Sequence, residues 1–431
     1  MSMMMLSLVA PLSATVGYAV AGWCRRTRWL AAAAASVPLV WSVVVLFGVD
    51  AGVERNEAAF IASIGAVALL AGVMLPGYLD HEVADRTVGP RSARWSAALT
   101  MAVLTAAMTA VLVGDLGLSW LILAATVVPV AALMTHRRSA PGAAAMRRLV
   151  KAAVAPFAVG VTGALAMWST GPSGWSMVLL GLAVMAQVAV LPTGLARIGV
   201  MSHLPAPGAI VVFACVPAAA AAVVVRWSGQ AAIVLGVPGV RSLLLVAGMP
   251  VLAAGIAAML WSRDLRSLLG YTAMVGGGFV LLFAAAGPDA VVTVAVFTAA
   301  FGAAIASLIV ATTDVLRVVG SSRMRLVAGW WERSRKHAIV MLVAAISVVG
   351  IPLTAAWFSQ LDRWGMWPPA AVAVVAMGAA VAVAARRLAG PGPHPHLAVA
   401  TPIRRPVGLP VMVSGVVGAL AVTIVVMPWS G

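Results

Sequence analysis

Moving a proton inside a membrane requires an ionisable side chain held away from water, where burial and a neighbouring charge tune its pKa. This sequence is poor in such groups. Its ionisable residues fall at the ends of apolar runs, as Asp115, Lys151, Arg226, Asp264, Arg266 and Asp289 do, and each reads most simply as an interfacial charge. No acidic residue and no lysine lies near the middle of any run. His81, His136, His203 and His337 are scattered in loops or at run ends, and Cys24 and Cys215 lie in or beside apolar stretches. These residues form no metal-ligand spacing, disulfide framework, nucleophile–base pair or phosphate loop, so no cofactor and no catalysis within the chain is expected. Two amides, those of Gln187 and Gln360, fall within the expected spans. Each can hydrogen-bond across helices, worth on the order of 1 kcal/mol.

The elements that carry these residues are dictated by composition. The chain has 431 residues, of which 63% are hydrophobic and 9% charged, and a mean hydropathy of +1.06. Soluble domains carry roughly 25% charged residues, so lipid must be the main solvent. The net charge of +16 does not indicate nucleic acid, because the basic residues sit in short groups between apolar runs rather than on a polar face. The first run has no basic residue before it, and Arg25, Arg26 and Arg28 follow it, unlike a cleaved signal peptide.

A span needs about 20 mostly apolar residues. Fourteen are expected, near 3–23, 29–49, 58–79, 95–113, 116–135, 149–169, 175–196, 206–225, 242–262, 267–286, 289–312, 337–360, 366–385 and 407–427. Alternating the loops between two sides places 24 of the 28 Lys and Arg residues on one side and leaves Arg55, Arg226, Arg241 and Arg363 on the other. By the positive-inside rule the first side is cytoplasmic and both termini lie opposite. The expected fold is therefore all-α and polytopic, one integral membrane domain over 1–431 in a cell (inner or plasma) membrane. The hydrophilic stretches 136–148, 313–336 and 386–406 are only loop-sized. Pro129, Pro217 and Pro352 fall inside spans. Proline removes a backbone donor, and paired interrupted helices point to transport pathways. Breaks are expected in the eighth and twelfth spans, near Pro217 and Pro352.

At several of these positions the chain resembles the antiporter-like membrane subunits of NADH–quinone oxidoreductase, membrane-bound hydrogenases and multisubunit sodium/proton antiporters. Val113-Gly114-Asp115-Leu116 is similar to the start of the family's fifth helix, and Val150-Lys151-Ala152 to the opening of its sixth. Leu191-Pro192 matches a Phe-Pro of the seventh. Leu204-Pro205-Ala206-Pro207, with Arg226 nineteen residues after Pro207, matches Ala-Pro-Thr-Pro and its trailing arginine. Arg263-Asp264-Leu265-Arg266-Ser267-Leu268-Leu269-Gly270-Tyr271-Thr272 resembles Arg-Asp-Leu-Lys-Arg-Leu-Leu-Ala-Tyr-Ser, and Gly350-Ile351-Pro352 resembles a Gly-Leu-Pro. The resemblance covers about 100–365, with 1–99 and 366–431 as flanking helices.

The resemblance implies a row of relay residues, and the chain does not carry it. The family's span-five glutamate falls at Ala124, and its lysine five residues before Pro192 at Gln187. Its histidine two residues after that proline falls at Gly194, its span-eight lysine at Ala218 and its span-ten histidine at Gly276. The His-Ala-Leu-Phe-Lys of span eleven falls near Thr298–Gly302, and the last lysine of span twelve at Gln360. An amide or a methyl group cannot hold a relayed proton. The expectation is a structural, non-conducting subunit of an ion-translocating or redox-linked complex, with other membrane subunits and the lipid bilayer as its partners. The competing expectation is a proton or solute transporter that uses waters and amides in place of the lysines.

Overall fold

The computed structural model describes residues 4–46, 55–135, 139–189, 200–201, 203–287, 290–319, 322–328, 335–358 and 367–389. Helices dominate because backbone polar groups in lipid must be satisfied within their own segment. They are α1 (Met4–Ala21), α2 (Leu30–Leu46), α3 (Arg55–Ala84), α4 (Pro90–Leu112), α5 (Leu116–Ala125) and α6 (Val127–Met134). There follow α7 (Ala140–Thr170), α8 (Gly174–Ala189), α9 (Ala206–Leu235), α10 (Val237–Trp261), α11 (Leu265–Ala284) and α12 (Val291–Val319). The last are the single turn α13 (Met324–Val327), α14 (Arg335–Phe358) and α15 (Trp367–Ala389). Among the described residues nine segments are long and apolar enough to cross a bilayer, and four shorter apolar helices accompany them. Each of the first thirteen expected spans falls on one of these segments. The stretch 407–427 lies outside the described residues.

Local chemistry sets many helix ends. Asp115 accepts a hydrogen bond from the Leu118 N–H at 2.7 Å, Ser139 from Gly142 at 3.2 Å and Asp264 from Ser267 at 2.9 Å, each satisfying a first-turn donor. Prolines occupy the opening turns of α4, α7, α9 and α10, where no N–H is missed. Small residues let backbones approach: a Cβ at Gly72 of α3 would lie 2.8 Å from the backbone of Ala31 and Ala32 in α2. In lipid such close packing replaces the hydrophobic drive between helices.

The helix α9 forms the axis. In its most apolar window 89% of residues are buried, against 28% for α7 and for α15. It packs against α3, α4, α5 and α8 on one flank and α10, α11 and α12 on the other. α1 and α2 close the bundle beside α3 and α4, and α14 and α15 pack on α12 and α10.

The two expected helix breaks are not confirmed by the structure. Within α9 the turn Val211–Cys215 widens to π geometry, with the Val216 N–H bonded to the Val211 carbonyl. One extra residue in that turn accommodates Pro217, and the helix continues without unwinding. α14 likewise runs as one helix from Arg335 to Phe358 with Pro352 inside it, since a buried proline forfeits one hydrogen bond and does not end a helix that is packed on its neighbours. The interruption lies in the fifth span. α5 ends at Thr126, whose hydroxyl donates to the Leu123 carbonyl at 2.6 Å, three residues before Pro129.

Candidate functional site: a mid-depth row without charge

With a rise of about 1.5 Å per residue, Ala218 lies roughly 18 Å into α9, Gly276 roughly 17 Å into α11 and Gln187 roughly 20 Å into α8. All three are buried: Ala218 is 2% exposed, Gln187 7% and Gly276 is enclosed in the core. Ala124 is 5% exposed and sits just before the break at Thr126. Four of the positions that the resemblance matches to relay residues are thus interior and uncharged. Gln360 and Gly194 lie outside the described residues, as do Pro192, Arg197 and Asp289.

The space around these positions is filled by rings. A Cβ on Gly276 would stand 2.2 Å from Cε1 of Phe301 in α12. Phe301 stacks on Phe297 at 5.1 Å between centroids, and Phe297 meets Phe283 of α11 at 5.0 Å and Phe279 at 6.1 Å. The four phenyl groups occupy the α11–α12 seam at the level where the resemblance implies two histidines and a lysine. Thr298, in the same stretch, turns its hydroxyl to its own helix, on the Ala295 carbonyl at 2.9 Å. Trp227 of α9 is fully buried and donates from Nε1 to the Met177 carbonyl at 2.9 Å, which seals α9 against α8. Rings at interior packing density fill the space beside Gly276. Among the described residues no cluster of His, Cys, Asp and Glu could hold a metal ion.

The retained positions are structural in their surroundings. Arg226 is the most connected: its guanidinium donates to the Val113 carbonyl, to the Val111 carbonyl at 2.6 Å, to Ser119 Oγ at 3.0 Å and to Glu57 Oε1 at 2.9 Å. It thereby ties α9 to the end of α4 and the starts of α3 and α5. Glu57 was not singled out by sequence reasoning; the available signal was an acidic residue at the start of α3, on the side where alternation also places Arg226. Asp115 at the same end accepts from Trp168 Nε1 at 3.2 Å.

The other end of the bundle gathers the basic loops. Asp80 accepts from Trp23 Nε1 and pairs with Arg28, both at 3.1 Å. The strongly matching segment around Asp264 joins the chain after α12: Leu265 N–H donates to Ser322 O at 2.9 Å and Met324 N–H to Arg263 O at 3.0 Å. Arg387 caps α10 through the Ser262 and Leu260 carbonyls at 2.6 and 3.0 Å. Pro205 and Pro207 are buried where α9 begins, Arg266 and Tyr271 are half-buried on α11, and Gly350 and Pro352 lie on α14. Lys151 is exposed on α7. At the turn before α9, burial first, then Arg266 and Arg148, hold His203 below the usual imidazole pKa.

Long apolar helices packed about a buried central one, with charges confined to the two ends, define a multi-pass membrane protein. No family model matches the sequence. A stretch of 126 residues is 30% identical to NADH-quinone oxidoreductase subunit N 2 of Solidesulfovibrio magneticus, covering 28% of this chain and 26% of that protein. The match thus spans about a quarter of the curated relative's length. Whole-chain similarity comes from solved structures. A chain of the Mrp complex from Dietzia sp. DQ12-45-1b superposes with a TM-score of 0.80 at 15% identity, covering 99% of this chain and 95% of that one. A chain of the archaeal membrane-bound sulfane sulfur reductase gives 0.73 at 16%, covering 99% and 96%. A chain of respiratory complex I from Thermus thermophilus gives 0.75 at 14%, covering 97% and 95%. The chain has the antiporter-like subunit fold.

Proposed function

We propose that the chain is an antiporter-like subunit of a multisubunit membrane complex of the ion-translocating or redox-linked kind, and that it serves there as a structural subunit with no proton half-channel of its own. The observation that carries this is the mid-depth row: Ala124, Gln187, Ala218 and Gly276 are buried and uncharged, and Phe301 occupies the room beside Gly276. A buried charge costs about 2.5–3.5 kcal/mol on insertion scales, so such groups persist where they are used; here they are gone together. The complexes named by the structural neighbours support a place among other membrane subunits, and the long apolar helices support contact with lipid rather than with nucleic acid. Any redox step would belong to those partners. The charge asymmetry supports a cell membrane location with the basic end cytoplasmic and both termini opposite.

A second reading, transport through waters and amides, draws on two features. Gln187 places a polar group in the core, and a cavity of about 20 Å³ between Tyr78, Arg266 and Thr312 has room for one water. Proton flux into liposomes holding the purified chain or its complex, read with a pH-sensitive dye, separates the readings. The structural reading expects flux no greater than in empty liposomes. Flux that survives both Gln187→Ala and Gln360→Ala would refute it through another route, and flux lost on either change would establish the transporter.

A further inference from the structure

At the basic end, the turn after α1 and the turn between α3 and α4 bring Arg25, Arg26, Arg28, Arg86, Arg91 and Arg94 to one corner of the bundle. The acidic residues of that corner are already engaged. Asp80 accepts from Trp23 Nε1 and pairs with Arg28, both at 3.1 Å. Asp85 pairs with His81 at 2.9 Å, and Glu82 is buried and has a partner of its own. Six guanidinium groups thus stand against three carboxylates that are already spoken for.

Arg94 is the group in this corner that is both held and unmatched. It lies in the second turn of α4, about 6 Å from the helix start, one residue before the apolar run that begins at Trp95. Its stem rests on the turn after α1: a Cβ at Gly22 would stand 3.4 Å from Arg94 Cδ. Its guanidinium carbon is 5.3 Å from the centre of the Trp95 ring, within the cation–π range of about 6 Å. Held from these two sides, the side chain is half-buried. Among the described residues it makes no hydrogen bond or ion pair, and its Nε is enclosed without an acceptor. The terminal nitrogens are the donors it presents outward. A guanidinium drawn part-way out of water is stable when an anion meets it. Arg91, exposed and three residues earlier on the same helix face, supplies a second charge beside it.

The surroundings select the anion. Trp29 and Trp95 are 55% and 45% exposed, and indoles exposed at the end of an apolar run sit at headgroup level. Val20 and Val16, in the last turns of α1 before Gly22, are 76% and 52% exposed, so apolar surface lies just below this level. A soluble phosphate or an acidic protein surface approaches from water and would leave the indoles and valines unused. A phospholipid meets charge, indoles and valines together.

We infer that Arg94, with Arg91 as second donor, holds the phosphate of an anionic phospholipid in the leaflet at the basic end, one acyl chain running along Val20 and Val16. The inference rests on the membrane reading of the fold and not on whether the chain conducts protons; lipid retention and proton flux fail independently.

The test is native mass spectrometry of the full chain, delipidated in detergent and titrated with phosphatidylglycerol or with phosphatidylcholine of the same acyl chains. The first lipid retained should be phosphatidylglycerol, with a preference of about fivefold for each arginine engaged. Arg94→Gln should lower that preference about fivefold, and Arg94→Lys, which keeps the charge, should retain most of it. Arg241→Gln, at the opposite end of the bundle, should leave it unchanged. A phosphatidylglycerol with a photoreactive acyl chain should label Val16 or Val20 in the wild type, a reading that needs no substitution. Equal retention of the two lipids by the wild type, an undiminished preference in folded Arg94→Gln, or label confined to other helices would overturn the proposal. So would displacement of the lipid by inorganic phosphate or by a polyglutamate peptide, which would assign the arginines to a soluble anion or to an acidic protein surface.

Discussion

Replacing Arg226 with alanine tests whether the retained arginine of α9 is a structural tie. Its guanidinium holds two carbonyls at the end of α4, the Ser119 hydroxyl and the Glu57 carboxylate. A hydrogen bond to a charged group contributes about 1.5–3 kcal/mol net, but four on one side chain are not additive. The pair is also partly wet, with side chains 17% and 21% exposed. An exposed ion pair contributes about 0–1 kcal/mol, and removing one partner of a buried pair costs about 3–5. Arg226→Ala should therefore destabilise by about 2–3 kcal/mol. Glu57→Gln should cost only about 1 kcal/mol, because the arginine keeps its carbonyls. In the double variant a coupling of about 1 kcal/mol should appear between the two sites. Equilibrium unfolding of the purified chain in mixed micelles would read these values. If Arg226→Ala cost less than about 0.5 kcal/mol, or less than Glu57→Gln, the reasoning would be wrong and the arginine would need a functional explanation.

Three further outcomes follow from the same geometry. Gly276→Ala should cost about 1–3 kcal/mol by overpacking, and Gly276→His more; adding Phe301→Ala should make the histidine variant more stable than the sum of the single losses, and strict additivity in the unfolding assay would refute the clash. Hydrogen bonds from Thr27, its hydroxyl first and its backbone second, hold the exposed Cys24 thiol below its ordinary pKa, which raises its thiolate fraction. A membrane-impermeant maleimide should label Cys24 from the basic side alone and leave the buried Cys215 untouched, so labelling from the opposite side of sealed vesicles would reverse the proposed orientation. His203, whose folded pKa is depressed, binds fewer protons folded than unfolded. Stability should be full above the unfolded value near 6.5 and fall as pH drops below it. His203→Gln should flatten that slope, measured by unfolding across about pH 5–7.

How the sequence relates to the structure is clearest at particular residues. Helix positions and the clustering of charge at two ends were legible, because lipid demands long apolar runs and hydropathy is local. That Ala124, Gln187, Ala218 and Gly276 carry no charge was equally legible, since each is read off directly in the sequence. The helix breaks expected at Pro217 and Pro352 are not confirmed: whether a proline interrupts a helix depends on what packs around it. A π turn accommodates Pro217, and the fifth span, whose Pro129 had been noted but not chosen, is the one that divides. The Glu57 partner of Arg226 lies 169 residues away in the chain, and Phe301 reaches Gly276 from the neighbouring helix. Such contacts are set by helix rotation and tilt, which no local pattern encodes. The unmatched guanidinium of Arg94 is held only where the turn after α1 meets the start of α4. Hydropathy thus determined that this chain folds as a membrane bundle. Tertiary packing decided which side chains surround Gly276 and Arg226 and where an open pocket remains, because helix rotation and tilt set those contacts.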